Sequence, residues 1–196
     1  MHLKFPYEDL VAKLETARTP TELRLHFSAL LAQASEVPAD DFIIVGGSAI
    51  EIYTRGEYTS GDIDIVVPPR RDLTKTLRGW RFSQQGRLWI NGDLKIVVDL
   101  VPYPYTYDYS KTQVLITPYG SVRLAAIEDL LIKRMLSAKW WKRAGDLEHA
   151  KMLAILYRDR IDWRYVDELA VRFEVADLLS NLRNASPEGL TSWNVV

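Results

Sequence analysis

Asp62 and Asp64 stand two positions apart where an apolar run begins, with Ile63, Ile65, Val66 and Val67 around them. Successive side chains of a strand point to opposite faces, so the two carboxylates emerge on one face. Side by side they repel each other unless a cation lies between them, which makes a divalent metal with oxygen ligands the natural occupant. An acidic, solvent-facing edge strand is the plainer reading, but the apolar neighbours argue for a buried sheet. Upstream, the apolar run from Phe42 to Val45 ends in Gly46-Gly47. Glycines allow a backbone to approach a phosphate closely, and the first N–H groups of a helix favour anions. Taken alone, Gly46-Gly47 is an ordinary strand-to-helix turn. Ser48 with Glu51 fits a Ser-x-x-Glu capping box, in which case Ser48 caps the helix instead of meeting a ligand. A phosphate cradle beside a metal-binding carboxylate pair is the equipment of nucleotide chemistry.

The elements that must position these groups follow from pattern. The first forty residues read as helices: Thr19-Pro20-Thr21-Glu22 offers an N-cap, a proline at the first helical position and a capping-box Glu. Leu23, Phe27, Leu30 and Leu31 then recur at helical spacing. The residues from Pro38 to Asp41 link into the first strand, and Pro68-Pro69 stops the second. Asp72 to Arg78 reads as a short helix closed by Gly79. Arg81 to Ile90 and Leu94 to Val101 read as strands joined by an Asn91-Gly92 hairpin turn. Tyr103, Tyr105, Tyr107 and Tyr109 follow at period two. Extended, they line one face on which a base could stack; otherwise they are a connector packing over the sheet edge. Helices are expected from Leu124 to Arg143, Trp163 to Arg172 and Val175 to Arg183, with fraying over the last ten residues. The architecture expected is α+β, a mixed sheet flanked by helices with a helical C-terminal half. It divides as 1–40 N-terminal helices, 41–120 core and 121–196 C-terminal helical region.

Composition narrows the classes without choosing one. A chain of 196 residues, 47% hydrophobic and 26% charged, makes one compact domain or a core with an appendage. The net charge of −1 supplies no general attraction to nucleic acid, leaving only local basic patches. There is no cysteine, hence no disulfide and no thiolate zinc site, and His2, His26 and His149 are too scattered for a histidine cluster. No apolar run reaches membrane-spanning length and the N-terminus lacks a signal-peptide pattern, so no membrane partner is expected and a cytoplasmic location is.

The order of Gly46-Gly47 and Asp62-Ile63-Asp64, each beside apolar residues, resembles the nucleotidyltransferase superfamily, whose distant members include DNA polymerase beta and the kanamycin nucleotidyltransferases. The resemblance covers residues 42 to 101 and implies the nucleotidyltransferase fold, with a third carboxylate on a later strand. Asp99, in Leu94-Lys95-Ile96-Val97-Val98-Asp99-Leu100, stands in that position. On its own chemistry, a carboxylate among Ile and Val costs several kcal/mol unless a cation compensates it. The resemblance further implies that Asp62, Asp64 and Asp99 are catalytic and hold Mg²⁺, two ions, or Mn²⁺. It also implies that Gly46, Gly47 and Ser48 bind a nucleoside triphosphate.

A narrower resemblance lies in Ile127-Glu128-Asp129-Leu130-Leu131-Ile132-Lys133 and Lys142-Arg143-Ala144-Gly145-Asp146. These resemble the abortive-infection (AbiEii-type) minimal nucleotidyltransferases, which implies that Lys133 contacts the nucleotide phosphates and that Asp146 is an additional acid. The chain departs from that pattern, with Gly145 where an Asp is usual and His149 where a second Asp is common. Asp146 otherwise N-caps the next helix and Lys133 is otherwise a solvated lysine. Lys142 and Arg143, beside Trp140 and Trp141, either grip a phosphate backbone or form a solvated helix face. The expected activity is transfer of a nucleoside monophosphate to a hydroxyl of an RNA or protein acceptor, in a toxin–antitoxin system with a cognate partner. A catalytically silent nucleotide- or partner-binding module, and an enzyme acting on a small aminoglycoside-like acceptor, remain the alternatives.

Overall fold

Ile43 and Ile44 make the shortest strand of the sheet, yet two other strands close on it from either side. The computed structural model describes residues 5–186, and the chain divides into two compact units, Met1–Ala125 and Ala126–Val196. In the first unit, β1 (Ile43–Ile44), β2 (Ile63–Val66), β3 (Ser83–Gln85), β4 (Leu88–Asn91), β5 (Ile96–Leu100), β6 (Gln113–Thr117) and β7 (Gly120–Leu124) form one seven-stranded sheet. Its order is β3-β4-β5-β2-β1-β7-β6. β1 runs antiparallel to β2 and parallel to β7, while β2 runs parallel to β5, so the sheet is mixed. The class is therefore α+β, a mixed sheet with helices around it.

Four helices accompany this sheet: α1 (Tyr7–Leu14), α2 (Pro20–Ala34), α3 (Gly46–Tyr53) and α4 (Thr74–Gly79). α2 starts as its sequence dictates, with Pro20 at the first position and the Thr19 hydroxyl accepting from Glu22 N at 3.1 Å. The Glu22 carboxylate reaches back one residue further than a capping box requires, to Arg18 N at 2.6 Å. Phe27 on α2 lies 6.0 Å from Trp80 and 5.5 Å from Phe82, ring to ring, and all three are buried. With Phe42, Ile44, Ile65 and Trp89 they form the centre of the core.

Several expectations are corrected here. Arg81 to Ile90 is not one strand: it folds at Gly86, where φ is +62°, into the β3–β4 hairpin. Asn91-Gly92 does not form a two-residue turn either, because Asn91 pairs with Ile96 across a four-residue loop. The Asn91 side chain closes that loop by accepting from Leu94 N and donating to Trp80 O, each at 2.9 Å, and Lys95 takes the left-handed conformation. Gly79 ends α4 without capping it; Arg81, at φ +62°, is the left-handed residue past the end, and Phe82 N bonds back to Leu77 O at 3.0 Å. Leu124 belongs to β7 and not to a helix, and the β6–β7 hairpin was not foreseen at all. The tyrosine segment does not stay extended, since Tyr109–Lys111 is a 3-10 turn.

The second unit is helical: α5 (Ile127–Trp140), α6 (Ala144–Leu156), α7 (Trp163–Arg172) and α8 (Leu179–Arg183), with a 3-10 turn at Ala176–Leu178. α5 packs on α6 and on α7, where the Glu128 carboxylate accepts from Asp162 N at 2.9 Å. The last ten residues, expected to fray, lie outside the described residues. Among the described residues, no helix is long and apolar enough to cross a membrane.

One buried charge fastens α3 and the loop after it to α2. Glu51, 1% exposed, pairs with Arg24 and accepts from Thr21 Oγ1 at 3.0 Å and Ser60 N at 2.7 Å. Removing it strands Arg24 and the Ser60 amide, and breaking a buried pair from one side costs about 3–5 kcal/mol. Glu51→Ala should therefore lose about 3 kcal/mol or more in urea unfolding, and Glu51→Gln, which keeps an acceptor for Ser60, distinctly less. A loss under about 1 kcal/mol for the alanine variant would contradict this role.

Candidate metal and phosphate site

β2 and β5 run in parallel register with Asp64 opposite Asp99, so the two side chains leave the sheet on the same face. Asp62 precedes β2 by one residue and joins them from the same side. Ligand atoms of the three carboxylates all lie within 4.8 Å of one another. Asp99 is 2% exposed, and Asp62 and Asp64 are half-buried.

The start of α3 is built around Asp64. Its Oδ2 accepts from Gly47 N at 2.9 Å and from Ser48 N at 3.3 Å, which spends first-turn amides of the helix on a carboxylate of the protein itself. Gly46 has φ +57°, and a Cβ there would lie 2.5 Å from Asp64 Oδ2. A Cβ on Gly47 would lie 2.8 Å from Ser60 Oγ. The glycine pair is thus more than a turn, because it lets the helix close on the acidic strand. Ser48 is not a capping-box residue: it sits inside α3, its hydroxyl donating to Val45 O at 3.0 Å and accepting from Asp64 N at 2.9 Å. Glu51, the other half of the expected box, is taken up by Arg24, Thr21 and Ser60. Ser60 in turn donates to Asp62 Oδ1 at 3.2 Å, which ties that carboxylate to the same network.

Burial, then the charge of Asp62, pushes the Asp64 carboxyl up to about 6, against the two amide bonds that favour its ionised form. Burial also raises Asp99, opposed by Arg87 and reinforced by Asp62. Arg87 Nε lies 2.8 Å from Asp99 Oδ1, an ion pair to a buried oxygen that has no other partner among the described residues. Reasoning from sequence missed Arg87, because the segment containing it was read as one strand; Gly86 was the signal of a turn that would swing it towards β5. Three clustered carboxylates offer the oxygen ligands that a hard divalent cation takes, and the exposed Arg87 guanidinium stands against one of them as a competing charge.

Gly46, Gly47, Ser48, Asp62, Asp64 and Asp99 are thus brought together, all in the first unit. Lys133 and Asp146 belong to the second. There Asp146 does not N-cap α6, whose cap is Arg143; it lies in the first turn and clamps α6 to α5 through Arg134 Nη1, at 2.6 Å, and Ser137. Burial raises the Asp146 carboxyl, but Ser137 and Arg134 outweigh it and hold it below the usual carboxylate range. Lys133 is half-buried, and burial lowers its pKa against the pull of Asp129. Trp140 and Trp141 are exposed, as are Lys142 and Arg143 beyond the end of α5.

Because the folded state holds the Asp64 proton more tightly than the unfolded chain, the contribution of this group to stability falls as pH rises from about 4 to about 6 and then levels off. Two pH units correspond to about 3 kcal/mol as an upper figure. Asp64→Asn keeps an oxygen for the two amides and removes the titration. In chelator-treated protein, the variant should gain on wild type through this window and be up to about 3 kcal/mol more stable at neutral pH, seen as a higher melting temperature. Parallel pH profiles for the two proteins would refute the assignment. No family model, curated protein or solved structure matches the chain.

Proposed function

We propose that the chain is a metal-dependent nucleotidyltransferase of the nucleotidyltransferase fold, moving a nucleoside monophosphate from a triphosphate onto a hydroxyl of an RNA or protein acceptor. The observation that carries this reading is the convergence of Asp62, Asp64 and Asp99 within 4.8 Å against the N-terminal turn of α3. Asp62, Asp64 and Asp99 would hold Mg²⁺ or Mn²⁺, which would supply charge neutralisation for the triphosphate and a lowered pKa for the acceptor hydroxyl. Gly46, Gly47 and Ser48 would orient the phosphates once Asp64, drawn to the cation, releases the Gly47 and Ser48 amides that it holds in this structure. The hydroxyl oxygen bonds to the α-phosphorus while the bond to pyrophosphate breaks in line. Asp99, beside the other two carboxylates, is the group placed to take the hydroxyl proton. A toxin–antitoxin setting, with a cognate partner protein, belongs to the same reading.

A second reading is a silent binding module. It is favoured by the internal satisfaction of the site, with Asp64 on the Gly47 and Ser48 amides and Arg87 against Asp99. Transfer separates the two. Purified protein is incubated with Mg²⁺ and each α-³²P-labelled nucleoside triphosphate, with bulk transfer RNA and a cell lysate as acceptors. Label should enter RNA or protein with wild type, and Asp64→Asn should reduce the rate by more than about 100-fold while still melting cooperatively. Equal transfer by the variant would refute the catalytic assignment, and no transfer with any nucleotide would favour the module.

A further inference from the structure

Two residues beyond Asp64 along β2, Val66 points to the same face of the sheet as the acidic group. Ile43 lies opposite Val66 on β1, and Arg123 opposite Ile43 on β7, which continues that face across three strands. Over it lies a cavity of about 390 Å³, lined by Ile43 and Val66 and by Tyr103, Tyr105, Tyr107 and Tyr109, with Asp40, Asp41 and Arg70 as its charged groups. The lining is held in place: Arg123 stacks 4.9 Å from the Tyr109 ring centroid and pairs with Asp40 at 2.6 Å, and Arg70 pairs with Asp41 at 2.6 Å. The connector that supplies the tyrosines begins directly after β5, the strand that carries Asp99.

We infer that this cavity binds a nucleobase of a single-stranded RNA acceptor, and so names the acceptor class for the transfer reaction on which the inference rests. Its volume falls in the range of about 300–1,000 Å³ typical of small-ligand sites. The Tyr103 ring, 54% exposed, accepts any base by stacking, and Arg70, paired with Asp41 yet 65% exposed, faces solvent where a flanking phosphodiester would run. A hydroxyl on a folded protein surface would need no such aromatic chamber.

Position decides between the acceptor and the base of the incoming triphosphate. Along the β1–β2 ladder, Gly46 and the start of α3 lie at one side of Asp64, and Ile43 with Val66 at the other. In-line displacement sets the leaving pyrophosphate and the attacking hydroxyl on opposite sides of the α-phosphorus. With the phosphates at the α3 end, the attacking group arrives from the cavity end. At about 3.3 Å per strand residue, the cavity lining begins about 7 Å from Asp64, close enough for one nucleotide to span.

The test uses the full chain and fluorescein-labelled single-stranded RNA hexamers, followed by anisotropy without nucleoside triphosphate. Wild type should bind, Tyr103→Ala should bind about 10-fold or more weakly, and Tyr103→Phe should bind like wild type, because the ring and not the hydroxyl is required. Tyr103 is 54% exposed, so these variants should melt like the parent. Asp62→Asn/Asp64→Asn, which keeps an oxygen for the α3 amides and for Ser60, removes two negative charges and should bind RNA at least as tightly as wild type. A hexamer carrying 4-thiouridine should photocross-link within residues 103–109. Absence of RNA binding, equal binding by Tyr103→Ala, or a cross-link elsewhere would overturn the inference. Nucleotide transfer to a protein band without RNA binding would overturn it while leaving the transferase reading intact. Tyr103-dependent RNA binding with no transfer would instead overturn the transferase reading, and with it the acceptor role of a base pocket that still stands.

Discussion

Three carboxylates within 4.8 Å on one face of a sheet form a concentration of like charge that the rest of this unit is organised to tolerate. Burial makes the repulsion stronger, since a low dielectric both raises the cost of each charge and lengthens the reach of its neighbours. The protein answers from two sides. The first turn of α3 offers amide hydrogens to Asp64, and Arg87 brings a guanidinium against Asp99. Neither answer is complete: Asp64 still holds its proton to about pH 6, and Asp99 Oδ1 is buried with no partner but Arg87 among the described residues. The proposed divalent cation would complete what these contacts begin.

The fold explains how such a group can be assembled at all. Parallel register between β2 and β5 puts Asp64 level with Asp99, although they are far apart in the chain. β1, only two residues long, ends where α3 must begin, so the helix starts against β2 and not above it. That approach is closed to any residue but glycine at 46, where both the positive φ and the Asp64 carboxylate exclude a side chain. Glu51 then anchors the far side of α3 to α2 and, through Ser60, holds the loop that carries Asp62. Site and scaffold therefore share residues, and Ser48 is the plainest case, its one hydroxyl joining the α3 turn to the β2 backbone.

Much of this was legible in the residues. Alternation in Asp62-Ile63-Asp64, the glycine pair and an Asp within an Ile/Val run are short-range signals, and the three carboxylates converge as those signals require. The α2 start was equally readable, because proline and a capping threonine act locally. What escaped was set at long range or by competition between local rules. Arg87 depended on a hairpin whose signal, Gly86, lies inside a segment, Arg81 to Ile90, read as a single strand. Asn91-Gly92 looked like a tight turn until the Asn91 side chain found better use bridging Leu94 and Trp80. Ser48 and Glu51 matched a capping box in spacing, yet both were drawn to tertiary partners of higher value. For Asp146, read as an additional acid or otherwise as a cap of α6, the structure replaces the cap with a clamp, made by Arg134 and Ser137 on the neighbouring helix.

The most direct test of a cation-completed acidic group is divalent binding itself, independent of any substrate. Mn²⁺ added to chelator-treated protein can be followed by the loss of the free-ion paramagnetic resonance signal, with proton release recorded alongside near pH 6. Binding by wild type at or below about 1 mM, accompanied by proton release and abolished in Asp64→Asn, is the expected result. Wild type that binds no Mn²⁺, or a variant that binds it equally well, would contradict the view that these three carboxylates form a metal site.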